Sequence, residues 1–195
     1  TVVTCNENGE WGIFQADRYG FNNPDNLWDL EKIDVALIGD SFVYGACVKQ
    51  NEDITSHLRK NSKKKFINVG AGGTGTLIQL GNFKEYLKKK KPNKVFLFYF
   101  EYNDLSNLKL ELTDPILSNY LNKNFSQNLN KIYKLINKNY PTDIYSEKIL
   151  NRIYKLFYIR KYIHYTFRQE HAIHDQYLPF TEFETILQTF KQEIN

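Results

Sequence analysis

Methionine is absent from this 195-residue chain, and cysteine occurs only twice, as Cys5 and Cys47. Two cysteines are too few for the disulfide framework of a small secreted domain. They lack C-x-x-C spacing and stand in no Cys/His cluster, so nothing points to zinc. A single bridge between them is left open. Histidine is also scarce, with only His57, His164, His171 and His174. No apolar run is long enough to span a bilayer, and no signal peptide is visible. The chain starts at Thr1 and not at Met. A processed fragment is therefore expected, from which an N-terminal export signal could have been removed.

Neither sign of charge dominates: 26 Lys and Arg face 22 Asp and Glu, a net charge of +4. Two lysine runs, Lys63-Lys64-Lys65 and Lys88-Lys89-Lys90-Lys91, have the look of nucleic-acid or lipid patches. Each precedes a predicted strand, and the second ends a predicted helix, where lysines favour the helix dipole and stay solvated. No aromatic platform accompanies them. A nucleic-acid partner is not expected.

Hydrophobic residues make up 42% and charged residues 25%, which suits one globular domain with a sizeable core. Residues 1–32 are polar and turn-rich and read as an irregular leader. A strand–helix alternation follows over 33–105. Strands are expected near 33–39, 65–69 and 95–100, with helices near 52–61 and 76–90. These strands are continuous apolar runs, as in a parallel sheet covered on both faces. Residues 106–179 read as a helical insertion rich in Asn, Lys and Tyr, broken at Tyr140-Pro141. Within it, Ile149, Ile153, Leu156, Phe157, Ile163 and Phe167 fall at helical spacing. Packing on the core is favoured over a membrane or partner face. A last helix is expected over 180–195. A parallel sheet that ends on a helix is unfinished, so a further strand is expected beyond Asn195.

Three predicted strand ends carry candidate chemistry. The first is Gly39-Asp40-Ser41, after the apolar run Asp34–Ile38. The second is the Gly-rich turn from Asn68 to Thr76, and the third is Glu101-Tyr102-Asn103-Asp104. The C-terminal ends of neighbouring parallel strands share one edge, where α/β enzymes place their sites. A serine in a sharp turn there is placed as a nucleophile. Acyl transfer to it also needs donors for the developing oxyanion. Amides of a Gly-rich turn and the side chain of Asn103 supply them. Each feature has a purely structural alternative: Asp-Ser as a helix cap, the glycines as a tight turn, Asn-Asp as a second cap.

Together the three blocks resemble the SGNH (GDSL-like) hydrolases. That family carries a Gly-Asp-Ser block, an Asn-x-x-x-x-Gly block and an Asn-Asp block. Here these match Gly39-Asp40-Ser41, Asn68 through Gly73, and Asn103-Asp104. Thirty-two residues separate Ser41 from Gly73, and thirty separate Gly73 from Asn103. The resemblance covers residues 33–105 and extends loosely to Tyr19–Pro24. It implies a three-layer α/β/α sandwich with a flavodoxin-like sheet. It makes Ser41 the nucleophile, with the amides of Ser41 and Gly73 and the side chain of Asn103 holding the oxyanion. A serine ester hydrolase follows, acting on an acylated carbohydrate or small ester with no cofactor or metal. O-acetyl transfer to a glycan and a non-catalytic binding domain are the variants. An extracytoplasmic location near a membrane is suspected, since many members act there.

Two departures stand out. The family usually has Gly before its Asn, and this chain has Tyr102. No histidine sits in the family's late Asp-x-x-His block, and the catalytic base is expected beyond Asn195; His174-Asp175 is a weaker substitute. Gly70-Ala71-Gly72-Gly73-Thr74-Gly75 also fits the dinucleotide-binding G-x-G-x-x-G, with Glu101 as the ribose ligand. Glu101 lies 26 residues beyond Gly75, past the usual ~20. That alternative leaves Ser41 and Asn103 unexplained.

Overall fold

Val35, Ala36, Leu37 and Ile38 form the central strand because all four are apolar and all four are buried. The computed structural model describes residues 1–6, 10–131 and 178–194. Strand β3 (Val35–Ile38) lies between β4 (Phe66–Asn68) and β5 (Lys94–Leu97), parallel to both, in the order β4-β3-β5. Val35 pairs with Phe66 on one side and with Lys94 on the other. Successive side chains of a strand point to opposite faces. Ala36, Ile38, Ile67 and Val69 therefore join one core with Leu77, Leu80, Leu108 and Ile186. Val35, Leu37 and Phe66 face the other way, against Val43.

The protein is mixed α/β with a small parallel sheet, as expected; β3 and β4 fall inside their expected ranges, and β5 begins one residue before its range and ends at Leu97. Coverage differs. Both outer strands are edges, but β4 is buried throughout, whereas β5 is partly open, with Phe96 51% exposed and Phe98, just after it, 38% exposed.

Each crossover is helical. Helix α1 (Ser41–Tyr44) and helix α2 (Ile54–Lys60) follow β3, each capped by an aspartate. Asp40 accepts from Phe42 N at 3.0 Å, and Asp53 accepts from Ser56 N at 2.9 Å. Helix α3 (Thr76–Asn82) follows β4 and runs on as a π-helical turn over Phe83–Leu87. Lys63, Lys64 and Lys65 are exposed, as expected. Lys90 is not purely solvated: its Nζ donates to the carbonyls of Trp28 and Leu30. After β5 come α4 (Asp104–Glu111), α5 (Pro115–Ser118) and α6 (Phe180–Ile194). The expected helix over 149–167 lies outside the described residues.

The leader is more ordered than its composition indicates. Strands β1 (Val2–Val3) and β2 (Ile13–Phe14) pair antiparallel, and Asp25–Asp29 form a 3-10 helix. A disulfide joins Cys5 to Cys47, tying this ribbon to the loop after α1. Hydrophobic patterning missed these elements because two-residue strands carry no period. A buried carboxylate completes the leader. Asp17 accepts from the amides of Tyr19 and Phe21, from Asn23 Nδ2 at 2.8 Å and from Trp28 Nε1 at 2.7 Å.

Asn23 also closes the outer edge of β4. Its Nδ2 donates to Asn68 O at 2.7 Å and its Oδ1 accepts from Asn68 N at 2.8 Å. One side-chain amide thus pairs both backbone groups of Asn68 as a neighbouring strand would.

Removing this amide with Asn23→Ala leaves buried groups unpaired, each at roughly 1–3 kcal/mol. Urea denaturation is expected to show a loss of about 3 kcal/mol; a loss under about 1 kcal/mol contradicts the pairing role. Opening the bridge with Cys5→Ser frees a loop of sequence separation 42. A further fall of about 3–4 kcal/mol is expected there, matched in wild type by reduction with dithiothreitol.

Candidate active site

Ser41 opens α1 directly after the strand β3 that lies at the centre of the sheet. The capping alternative applies to its neighbour: Asp40 caps α1, and Ser41 does not. Ser41 is half-buried, and its Oγ makes a long 3.4 Å hydrogen bond to Asp40 Oδ2. Among the described residues, no group accepts from the Ser41 N–H. That amide belongs to the first turn of a helix, where intrahelical acceptors do not exist.

The Gly-rich turn lies beside it. Ala71 N donates to Gly39 O at 3.1 Å, which stitches the ends of β4 and β3 together. A Cβ on Gly70 would stand 2.7 Å from Tyr44 N, so this backbone passes α1 at a distance only glycine permits. Gly73 is different. It is exposed, has φ +73°, and a Cβ there would meet nothing within 4 Å. Among the described residues, no group accepts from its N–H.

Asn103 lies beyond the end of β5 and precedes α4. It holds the N-cap position, yet its side chain makes no capping bond. Its Oδ1 is buried without a hydrogen-bond partner. Asp104 fastens this turn, with Oδ2 accepting from Phe100 N at 2.8 Å. Ser41, Gly73 and Asn103 therefore follow three adjacent strand ends on one edge of the sheet. Phe42, Phe100 and Tyr102 form an aromatic row on the β5 side, with ring centroids 4.9 and 6.0 Å apart. Tyr102, where the resembling family has Gly, is 81% exposed.

A residue that motif reading missed controls the Gly-rich turn. Glu111, buried on α4, accepts from the amides of Gly75, Leu77 and Ile78 at the start of α3. Its spacing of three residues from the buried Leu108 puts it on that side of the helix. Burial raises its carboxyl above the usual range, and the three amides oppose that rise.

Of the histidines, His57 is exposed on α2, and among the described residues Ser41 Oγ hydrogen-bonds to Asp40. His164, His171 and the pair His174-Asp175 lie outside them. No described helix is long and apolar enough to cross a membrane. Comparisons with protein-family models, with curated proteins and with solved structures find no match to this chain.

Burial raises the Asp104 carboxyl from 3.8 to about 6; the charge of Asp40 adds to the rise, and the hydrogen bond from Phe100 N opposes it. Both Asp104 Oδ1 and Gln79 Oε1 are buried without partners. A proton on Asp104 makes one of these two acceptors a donor. Because the folded-state value lies above that of the unfolded chain, the folded protein holds this proton more tightly. The stability it adds is complete below about pH 4 and is lost as pH rises through about 6. Thermal melts at pH 5 and pH 7.5 are expected to show this fall, and Asp104→Asn is expected to flatten it. An unchanged pH dependence in the variant contradicts the assignment.

Proposed function

We propose that this protein is a serine ester hydrolase of the SGNH type, working through an acyl-enzyme on Ser41. One observation carries the proposal. Ser41 stands at the central strand end between two loops whose donor groups, Gly73 N–H and the Asn103 side chain, have no hydrogen-bond acceptor among the described residues.

In this mechanism Ser41 Oγ attacks the ester carbonyl carbon while its proton passes to a base. The carbonyl oxygen becomes the oxyanion, held by the amides of Ser41 and Gly73 and by Asn103. Collapse expels the alcohol and leaves the acyl group on Ser41, and water then releases the acid by the same steps. Each such donor is worth on the order of 3–4 kcal/mol in the transition state. The base is not assigned to any described residue. The proposal extends to a three-layer α/β/α sandwich, with which the parallel sheet and its helical crossovers agree. It also extends to an oxidising, extracytoplasmic location, which the Cys5–Cys47 bridge supports.

The dinucleotide-binding alternative has a specific obstacle. A bound diphosphate sits on the amides at the start of the helix after the Gly-rich turn. Here the Glu111 carboxylate already takes those amides. A phosphate there would meet a buried like charge.

The complete protein is expected to react with a fluorophosphonate probe, and Ser41→Ala is expected to abolish the labelling. Equal labelling of both proteins rules Ser41 out as the nucleophile. Asn103→Ala is expected to slow labelling by about 10²-fold, the scale of one oxyanion donor.

A further inference from the structure

A cavity of about 420 Å³ opens between the leader and the Gly-rich turn. That volume falls within the range of small-molecule clefts, roughly 300–1,000 Å³. Its walls are Tyr19, Phe21, Tyr44 and Tyr86, with Gly72 and Asn82 among the remaining lining residues. Among the described residues, no charged side chain lines it. The walls are braced by one another: Tyr86 meets Tyr19 at 5.0 Å and Phe21 at 5.1 Å, and Tyr44 meets Phe14 at 5.2 Å. The rings are thus held in place before any ligand arrives.

The cavity borders the candidate site through two residues. Tyr44 ends the single turn that Ser41 begins, about 5 Å along the helix. Gly72 directly precedes Gly73.

The wall chemistry narrows the ligand. A pocket for an acyl chain needs only apolar surface. Here three of the four rings are phenols, each with an apolar body and a hydroxyl tip, and Asn82 adds an amide. Burial, helped by nearby negative charge, pushes the Tyr86 hydroxyl up to about 12, so it remains a proton donor at any physiological pH. Ring faces and hydroxyl tips in one uncharged cleft complement a pyranose, which has C–H faces and a rim of hydroxyls. We propose that this cavity is a subsite for an uncharged sugar ring, the alcohol side of a glycan ester presented to Ser41. The connection to Ser41 rests on the ester-hydrolase proposal; the binding does not.

Gly72 offers a direct way to block the site. A Cβ there would meet only Tyr44 Cδ1, at an ordinary 3.8 Å, so a side chain fits without disturbing the core. Titrations of the full chain with chitotetraose and with cellotetraose, read by saturation-transfer NMR, are expected to show saturable binding of at least one. Gly72→Leu is expected to weaken that binding at least tenfold with an unchanged circular dichroism spectrum. Tyr86→Phe keeps the ring and removes the hydroxyl; it is expected to weaken binding several-fold and serves as the test should Gly72→Leu not fold. Sodium octanoate is expected not to compete. The proposal is overturned if neither saccharide binds saturably, if both variants bind as wild type does, or if octanoate displaces the saccharide. Fluorophosphonate labelling of the same wild-type sample separates the two proposals. Labelling without saccharide binding removes the subsite alone, and saccharide binding without labelling removes the hydrolase alone.

Discussion

Asn68 is the residue through which the leader, the Ser41 turn and the Gly-rich loop are joined. Its backbone N–H and C=O both go to the Asn23 amide of the leader. Its side-chain Nδ2 donates to Val43 O in α1, and its Oδ1 accepts from Gly70 N in the loop. Asn68 is fully buried, so none of these groups has water as an alternative partner. An unpaired buried amide costs more than a formed bond contributes. Each bond therefore enforces the others, and the three segments hold one relative position. Asn23 is fixed in turn by Asp17 and Arg59, which carries the constraint into the leader and α2.

This junction explains why a polar, turn-rich leader is ordered at all. It has few apolar side chains to bury, and Phe21 and Trp28 supply most of what it adds to the core. Its remaining order comes from directional bonds around Asp17 and from the Cys5–Cys47 link. The same segment supplies Tyr19 and Phe21 to the cavity wall. Packing that fixes the leader thereby also shapes the cavity beside Gly72.

The α/β core was legible because its signals are local and periodic. Val35–Ile38 and Phe66–Asn68 are apolar runs bounded by turn residues, and each became a buried strand. The placement of Ser41, Gly73 and Asn103 at strand ends was legible because glycine, serine and asparagine cluster where the apolar runs stop. Other features carried no such signal. Glu111 and Asn23 act over sequence separations of 36 and 45 residues, and no window around either shows a partner. The half-exposed state of β5 was hidden for a related reason: a run such as Val95–Phe100 reads the same at a sheet's centre and at its edge. Lys84 and Glu85 were equally silent. Both are buried beneath the segment after α5, where Lys84 donates to the carbonyls of Tyr120 and Asn122 and Glu85 accepts from Tyr120 and Leu129.

The charges beneath the strand ends bear on how Ser41 would work. Asp40 is buried next to it and accepts from Phe42 N, while Asp104 stands under the neighbouring turn. Two carboxylates so placed oppose the build-up of negative charge on a nearby oxygen. Neutral Asp104 relieves part of that opposition, and its raised pKa keeps it neutral into the mildly acidic range. The Ser41 hydroxyl gains little from Asp40, at 3.4 Å. In the proposed mechanism the described arrangement offsets the remaining opposition at the substrate oxygen through the Ser41 and Gly73 amides, beside backbone that Asn68 and Glu111 hold in place. It is poorly suited to creating that charge on the serine. In the proposed mechanism, stabilising the oxyanion and activating the nucleophile are therefore separate tasks, and the sheet edge formed by β4, β3 and β5 performs the first.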